Sequence, residues 1–372
     1  MRDLGDAAAL EQLVAQYRQL LTDEISPKNL AKLKALGYQL NQKILAPIRS
    51  LVGQQTHLLV APDGALNTIP LEALVDGQGR YLIESYSFSY LTSGRDLLRL
   101  TLTPPQAQAP VIVANPNFQS ADTPVATGSA VRGGADTPRS ADFATISTET
   151  LEGTAQEAQA LKALLPQAQV LTERQATEGR VKQLQAPQIL HIATHGFFLS
   201  DQDLPLIKSD PLAALSNTPF QAASLQIENP LLRSGVVLAG AGQRQTQTTG
   251  DDGILTALEV TGLNLWGTQL VVLSACETGL GEVTNGDGIQ GLRRALTLAG
   301  AQAQVISLWN VDDKATKDLM VDYYTRLIKQ RQGRHQALRQ AQLTMLKDKN
   351  RQHPYYWASF IASGDWRALS TR

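Results

Sequence analysis

The chain carries one cysteine, Cys276, and five histidines. Cys276 closes an apolar run, Gln269-Leu-Val-Val-Leu-Ser-Ala-Cys276, and Gly279 and Gly281 follow it. His195 closes a second run, Gln188-Ile-Leu-His-Ile-Ala-Thr-His195, with Gly196 directly after it. The two ends are 81 positions apart. A thiolate is a nucleophile, and a neighbouring imidazole populates it near neutral pH. Backbone N–H groups beside a nucleophile can hold a developing oxyanion, and Gly196, lacking a Cβ, lets a substrate carbonyl come close. Taken singly, each residue has a plainer reading, since a cysteine in an apolar strand is commonly a small inert hydrophobe. The matching of two strand ends, each beside glycine, is what raises a cysteine–histidine pair. His191, alternating with isoleucine and alanine, reads as a packed histidine.

For the two ends to meet, both must lie at the carboxyl edge of one parallel sheet, and the remaining chain reads that way. Residues 3–22 and 28–45 carry apolar side chains at helical spacing, with Ser26 and Pro27 as N-cap and first-turn pair. They predict a helical hairpin whose apolar faces need a partner, either the following domain or helices further upstream. His57 to Ala61 reads as a buried strand ended by the turn at Pro62-Asp-Gly64. Strands are also expected at Phe88 to Leu91 and Val111 to Ala114, with a helix opened at Ser93 between them. From residue 151 the pattern is helix 154–165, strand 169–173, helix 177–185, strand 188–194, strand 235–240 and the cysteine strand. Helix 287–299, strand 304–309, helices 314–330 and 334–347 and a last, edge strand within 357–364 complete it. Polar stretches interrupt the pattern at 119–150, 199–233 and 242–251. Strands alternating with helices imply an α/β fold, a mostly parallel central sheet flanked by helices on both faces. The expected division is a helical hairpin over 1–55 and one domain over 56–372. Within that domain a linker, 119–150, separates an N-terminal subdomain, 56–118, from a catalytic subdomain, 151–372.

Composition excludes several alternatives. At 43% hydrophobic, 18% charged and a net charge of −1, the 372 residues describe a globular protein with no basic excess for nucleic acid or an anionic membrane surface. No apolar stretch approaches the roughly 20 residues of a membrane helix. A polar, acidic start and a single cysteine, which forbids an internal disulfide, point to the cytoplasm. One cysteine excludes a zinc site of paired-cysteine spacing. No glycine-rich phosphate loop with lysine is present, which sets aside a nucleotide switch.

Six ordered stretches resemble one family. They are His191-Ile-Ala-Thr-His-Gly196, Asp252-Gly-Ile-Leu-Thr-Ala257, Val272-Leu-Ser-Ala-Cys-Glu-Thr-Gly-Leu-Gly281, Ser307-Leu-Trp-Asn-Val-Asp-Asp313, Ala337-Leu-Arg-Gln-Ala-Gln342 and His353-Pro-Tyr-Tyr-Trp-Ala358. With the earlier Ala61-Pro-Asp-Gly-Ala-Leu-Asn-Thr-Ile-Pro-Leu-Glu-Ala73 they look like the CHAT domain family over roughly residues 56–366. CHAT domains are caspase-like, separase-related cysteine peptidases, often the effector end of longer proteins with TPR repeats. The resemblance implies a prokaryotic, caspase-like cysteine endopeptidase with His195 as general acid/base and Cys276 as nucleophile. It further implies an oxyanion hole from the N–H groups of Gly196 and Cys276, and no metal or organic cofactor. The implied partners are a protein or peptide substrate and a regulatory partner or TPR region.

Specificity is carried less clearly. Separases and metacaspases hold a basic P1 residue with acidic side chains, and Asp312 or Asp313 would line such a pocket here, with Glu277 and Asp287 as weaker candidates. Against this, aspartates just before Lys314 are well placed to cap the helix that starts there, Asp313 above all. Arg132, Arg139, Arg233 and Arg244 mark where self-cleavage after arginine would fall. The alternative function is an idle CHAT-like scaffold or interaction module.

Overall fold

Thirteen strands form among the described residues. They are β1 (His57–Val60), β2 (Ser87–Tyr90), β3 (Val111–Pro116), β4 (Gln169–Glu173), β5 (Ile189–Ala193), β6 (Gly196–Phe198), β7 (Ser234–Val237), β8 (Ile254–Thr256), β9 (Leu270–Ser274), β10 (Gly281–Thr284), β11 (Gly288–Gly291), β12 (Ala303–Ser307) and β13 (Phe360–Gly364). Six helices reach eight residues or more among the described residues: α1 (Ala7–Thr22), α2 (Pro27–Ile44), α3 (Glu152–Leu164), α4 (Leu292–Ala299), α5 (Asp313–Tyr324) and α6 (Arg334–Lys347). This computed structural model describes residues 3–23, 25–122, 148–149, 151–199, 229–246, 251–275, 281–284, 288–310 and 312–370.

Eight strands make one sheet in the order β1-β2-β13-β12-β9-β5-β3-β4. From β12 to β4 the five strands run parallel. β13 is antiparallel to β12, and β2 and β1 run parallel to β13. β5 and β9 are buried at every position, which is why both read as unbroken apolar runs rather than alternating ones. The crossover β3–α3–β4 steps toward one edge, and β9–α4–β12 steps toward the other. Right-handed connections therefore lay α3 and α4 on opposite faces, and helices cover both sides. α5 packs between α3 and α6. A smaller antiparallel sheet, β6-β7-β8, and a hairpin, β10-β11, lie outside the main sheet.

The N-terminal hairpin finds its partner in this domain. Tyr17, Leu21, Leu33 and Leu40 are buried in the same core as the sheet. The Tyr17 hydroxyl donates to the Ala73 carbonyl (2.7 Å) and Asn41 Nδ2 donates to the Val75 carbonyl (2.9 Å). Ser26 caps α2 through the Asn29 N–H, with Pro27 in the first turn.

Several expectations change. β13 is an interior strand, because β2 and β1, drawn from far earlier in the chain, cover the side where the edge was expected; the Ser363 hydroxyl donates to the Tyr90 carbonyl there (3.0 Å). β1 is the edge instead, and is only partly buried. The helix expected from 287 starts at Leu292, since Gly288–Gly291 pairs with β10. β6 and β8, each three residues long, gave no periodicity to read. Most of the linker at 119–150 and of the stretch at 199–233 lies outside the described residues. No described helix is long and apolar enough to cross a membrane.

Candidate active site

The register of β5 against β9 governs the site. Every pair from Ile189 with Leu270 to Ala193 with Ser274 is separated by 81 positions, the separation of His195 and Cys276. Each of these two residues thus lies two positions beyond a paired strand end. Cys276 and Glu277 themselves, with Asp287, lie outside the described residues.

His195 sits in the turn between β5 and β6, half-buried, with its ring 5.3 Å from that of Phe118. Its Nε2 lies 2.7 Å from the Glu149 carbonyl oxygen. A carbonyl only accepts, so Nε2 is the donor in this contact. The Val237 N–H donates to the His195 carbonyl (2.9 Å) and the Leu199 N–H to that of Arg233 (2.7 Å). Gly196, opposite Val236, therefore falls at a non-hydrogen-bonded position of the antiparallel pair and turns its N–H away from β7. β6 is the outer strand of its sheet, so that N–H faces an open side among the described residues.

The two aspartates divide their tasks. Asp312 is the N-cap of α5, its Oδ1 accepting the Ala315 N–H at 2.8 Å. The cap expected chiefly of Asp313 thus belongs to its neighbour. Asp313 instead takes the Gly153 N–H at the start of α3. The fit is close: a Cβ on Gly153 would lie 2.6 Å from the Asp313 Cβ. Partial burial, then Asp312 and Glu157, raise the Asp313 carboxyl above its usual range, while His195 and the Gly153 N–H pull the other way. Asp313 and His195 therefore stand within electrostatic reach, and Asp312 is occupied at the helix end.

Beneath His195 lies a buried polar cluster. His191 Nε2 and Glu157 Oε1 approach to 3.0 Å as a charge contact rather than an aligned hydrogen bond. His191 Nδ1 meets the Tyr324 hydroxyl at 3.1 Å, and the Ser274 hydroxyl donates to Glu157 Oε2 at 3.1 Å. His191 is thus packed, as its alternation predicted. Sequence reasoning missed Glu157 and Glu149. Thr154, Glu157, Ala158 and Leu161 form the buried stripe of α3, so a carboxylate on an apolar helix face was the available signal. Glu149 acts through its backbone, which no side-chain pattern announces.

Arg233 is buried and its carbonyl accepts the Leu199 N–H beside the β6–β7 pairing. Arg132 and Arg139 lie outside the described residues. No group of three or more metal-ligating side chains occurs among the described residues. A cavity of about 430 Å³ opens elsewhere, beside His57, His335, Arg339 and Trp366, and shares no residue with the His195 surroundings.

The profile of the CHAT domain family matches residues 34–365. Tetratricopeptide repeat protein 28 of Mus musculus is 34% identical over 111 residues, 30% of this chain and 4% of that protein. The Homo sapiens protein of the same name is 35% identical over 111 residues, with the same shares. The chain spans about 4% of the curated relatives it matches. Among solved structures, the Arg-specific cysteine proteinase gingipain R aligns with a TM-score of 0.48 at 9% identity, over 97% of this chain and 75% of that one. The Saccharomyces cerevisiae separase–securin complex aligns at 0.45 and 11% identity, over 95% of this chain and 20% of that one.

Proposed function

This chain belongs to the CHAT domain family, and on that premise we propose that it is a cysteine endopeptidase working through His195 and Cys276. The observation that carries the reading is the shared offset of 81 positions between β5 and β9, which sets side by side the strand ends that His195 and Cys276 each follow by two positions in sequence. His195 Nδ1 takes the Cys276 proton, and the thiolate adds to the scissile carbonyl. The N–H groups of Gly196 and Cys276 hold the oxyanion. The imidazolium gives its proton to the leaving amine, an acyl-enzyme remains on Cys276, and water activated by His195 releases it. The Glu149 carbonyl supports this assignment by fixing Nε2–H, much as an orienting partner does in other nucleophile–histidine pairs.

The substrate is a protein or peptide. The electrostatic pull of His195 on Asp313 supports a basic residue at P1, and Glu277, next to Cys276 in sequence, is a further candidate acid. Resemblance to a segment of a TPR protein supports a helical-repeat region as regulatory partner, in the cytoplasm. Hydrolysis of fluorogenic peptides differing only at P1, beside Cys276→Ala and His195→Ala, tests the reading. Cleavage after Arg or Lys that vanishes in both variants is the expected result. Cleavage that survives either substitution would end the pairing, and equal turnover of all P1 residues would end the acidic pocket.

A further inference from the structure

Four elements near His195 each supply one member of a buried cluster. β5 gives His191, four residues before His195, and β9 gives Ser274, two residues before Cys276. α3 gives Glu157, four residues after Gly153, and α5 gives Tyr324. Relative exposures are 0% for His191, 2% for Glu157 and 6% for Ser274. Taking a carboxylate out of water costs several kcal/mol, and an apolar pair of similar volume would serve stability as well or better. The cluster therefore needs a reason other than stability.

Geometry supplies one. Backbone hydrogen bonds already fix β5 against β9, but only side chains fix how α3 rotates and slides over them. Apolar contacts are non-directional, whereas a buried charge contact at 3.0 Å flanked by two hydrogen bonds restricts the arrangements open to α3. The segment leading into α3 carries the Glu149 carbonyl, 2.7 Å from His195 Nε2. A slide of about 1 Å would take that contact beyond hydrogen-bonding distance. Resting on the peptidase reading above, we propose that Glu157 and His191 are positioning residues that pin α3 to the sheet so that the Glu149 carbonyl holds His195 in its Nε2–H tautomer. Ser274 and Tyr324 complete the network by occupying the remaining carboxylate oxygen and ring nitrogen.

The test is the double variant Glu157→Leu/His191→Leu in the full chain, with Glu157→Gln beside it. Three quantities are read: urea stability, the His195 tautomer from ¹⁵N NMR, and the rate at which iodoacetamide alkylates Cys276 near pH 7. The double variant is expected to fold with undiminished stability, to lose the single Nε2–H tautomer, and to alkylate ~10–100-fold more slowly, as small misplacements do. Glu157→Gln, which keeps an acceptor for Ser274, is expected to show the same losses to a smaller degree. A folded double variant with the wild-type tautomer and rate overturns the proposal. So does a double variant that cannot fold, which would make the pair structural. The peptidase reading fails separately, if wild-type Cys276 alkylates no faster than in His195→Ala; the tautomer still judges the positioning role.

Discussion

Glu72 offers a stability prediction whose sign separates two descriptions of the core. Its carboxylate is buried, accepts the Tyr90 hydroxyl at 2.6 Å, and lies near the buried Arg293 guanidinium. Burial pushes its pKa up from 4.5 to about 7, against the opposing pull of the Tyr90 hydrogen bond and Arg293. Below pH 4.5 the carboxyl is protonated in folded and unfolded chains alike, and its contribution is fully present. As pH rises toward 7 the unfolded chain releases the proton while the folded one retains it, so stability falls; beyond about 7 the loss is complete. At about 1.4 kcal/mol per pH unit, the loss amounts to about 3 kcal/mol. Glu72→Gln keeps an acceptor for Tyr90 and cannot titrate. Urea unfolding followed by tryptophan fluorescence between pH 4.5 and 8 should show the variant gaining about 3 kcal/mol on the wild type as pH rises. If instead the wild type gains on the variant, Glu72 is ionised throughout as a partner of Arg293, and the reasoning is refuted.

Asp312→Ala should lower stability by about 1 kcal/mol through loss of the α5 cap, whereas Asp313→Asn should leave the urea midpoint nearly unchanged and weaken any preference for Arg at P1. Gly153→Ala, which drives a Cβ to 2.6 Å from Asp313, should cost about 1–3 kcal/mol and shift P1 preference in the same direction as Asp313→Asn; unchanged selectivity would detach Asp313 from the substrate. Leu40→Ala should destabilise the whole domain by about 2–5 kcal/mol in one cooperative transition, because Leu40 is buried in the sheet's own core. A separate, early hairpin transition would contradict that packing.

Much of this molecule is legible in its sequence because burial on both faces writes β5 and β9 as unbroken apolar runs, and the two candidate residues follow their ends in sequence. Ser26-Pro27 announced α2 for an equally local reason. What failed was non-local. The position of β13 depends on β2 and β1 returning from more than 250 residues earlier to pair beside it, and no window of sequence contains that information. The β10–β11 hairpin is glycine-rich and short, so it lacks the alternation that marks longer strands. Asp312 and Asp313 differ by a single position at a helix start, where boundaries are least determined by sequence. Glu149 was invisible because its contribution is a main-chain carbonyl, while Glu157 stood in plain view as a charge within the stripe of α3.

Whether His195 and Cys276 act as a pair is read from the pH dependence of Cys276 alkylation, since no other cysteine competes. The expected inflection lies well below the roughly 8.5 of an unperturbed thiol and moves up toward that value in His195→Ala. One inflection near 8.5 in both proteins would contradict it.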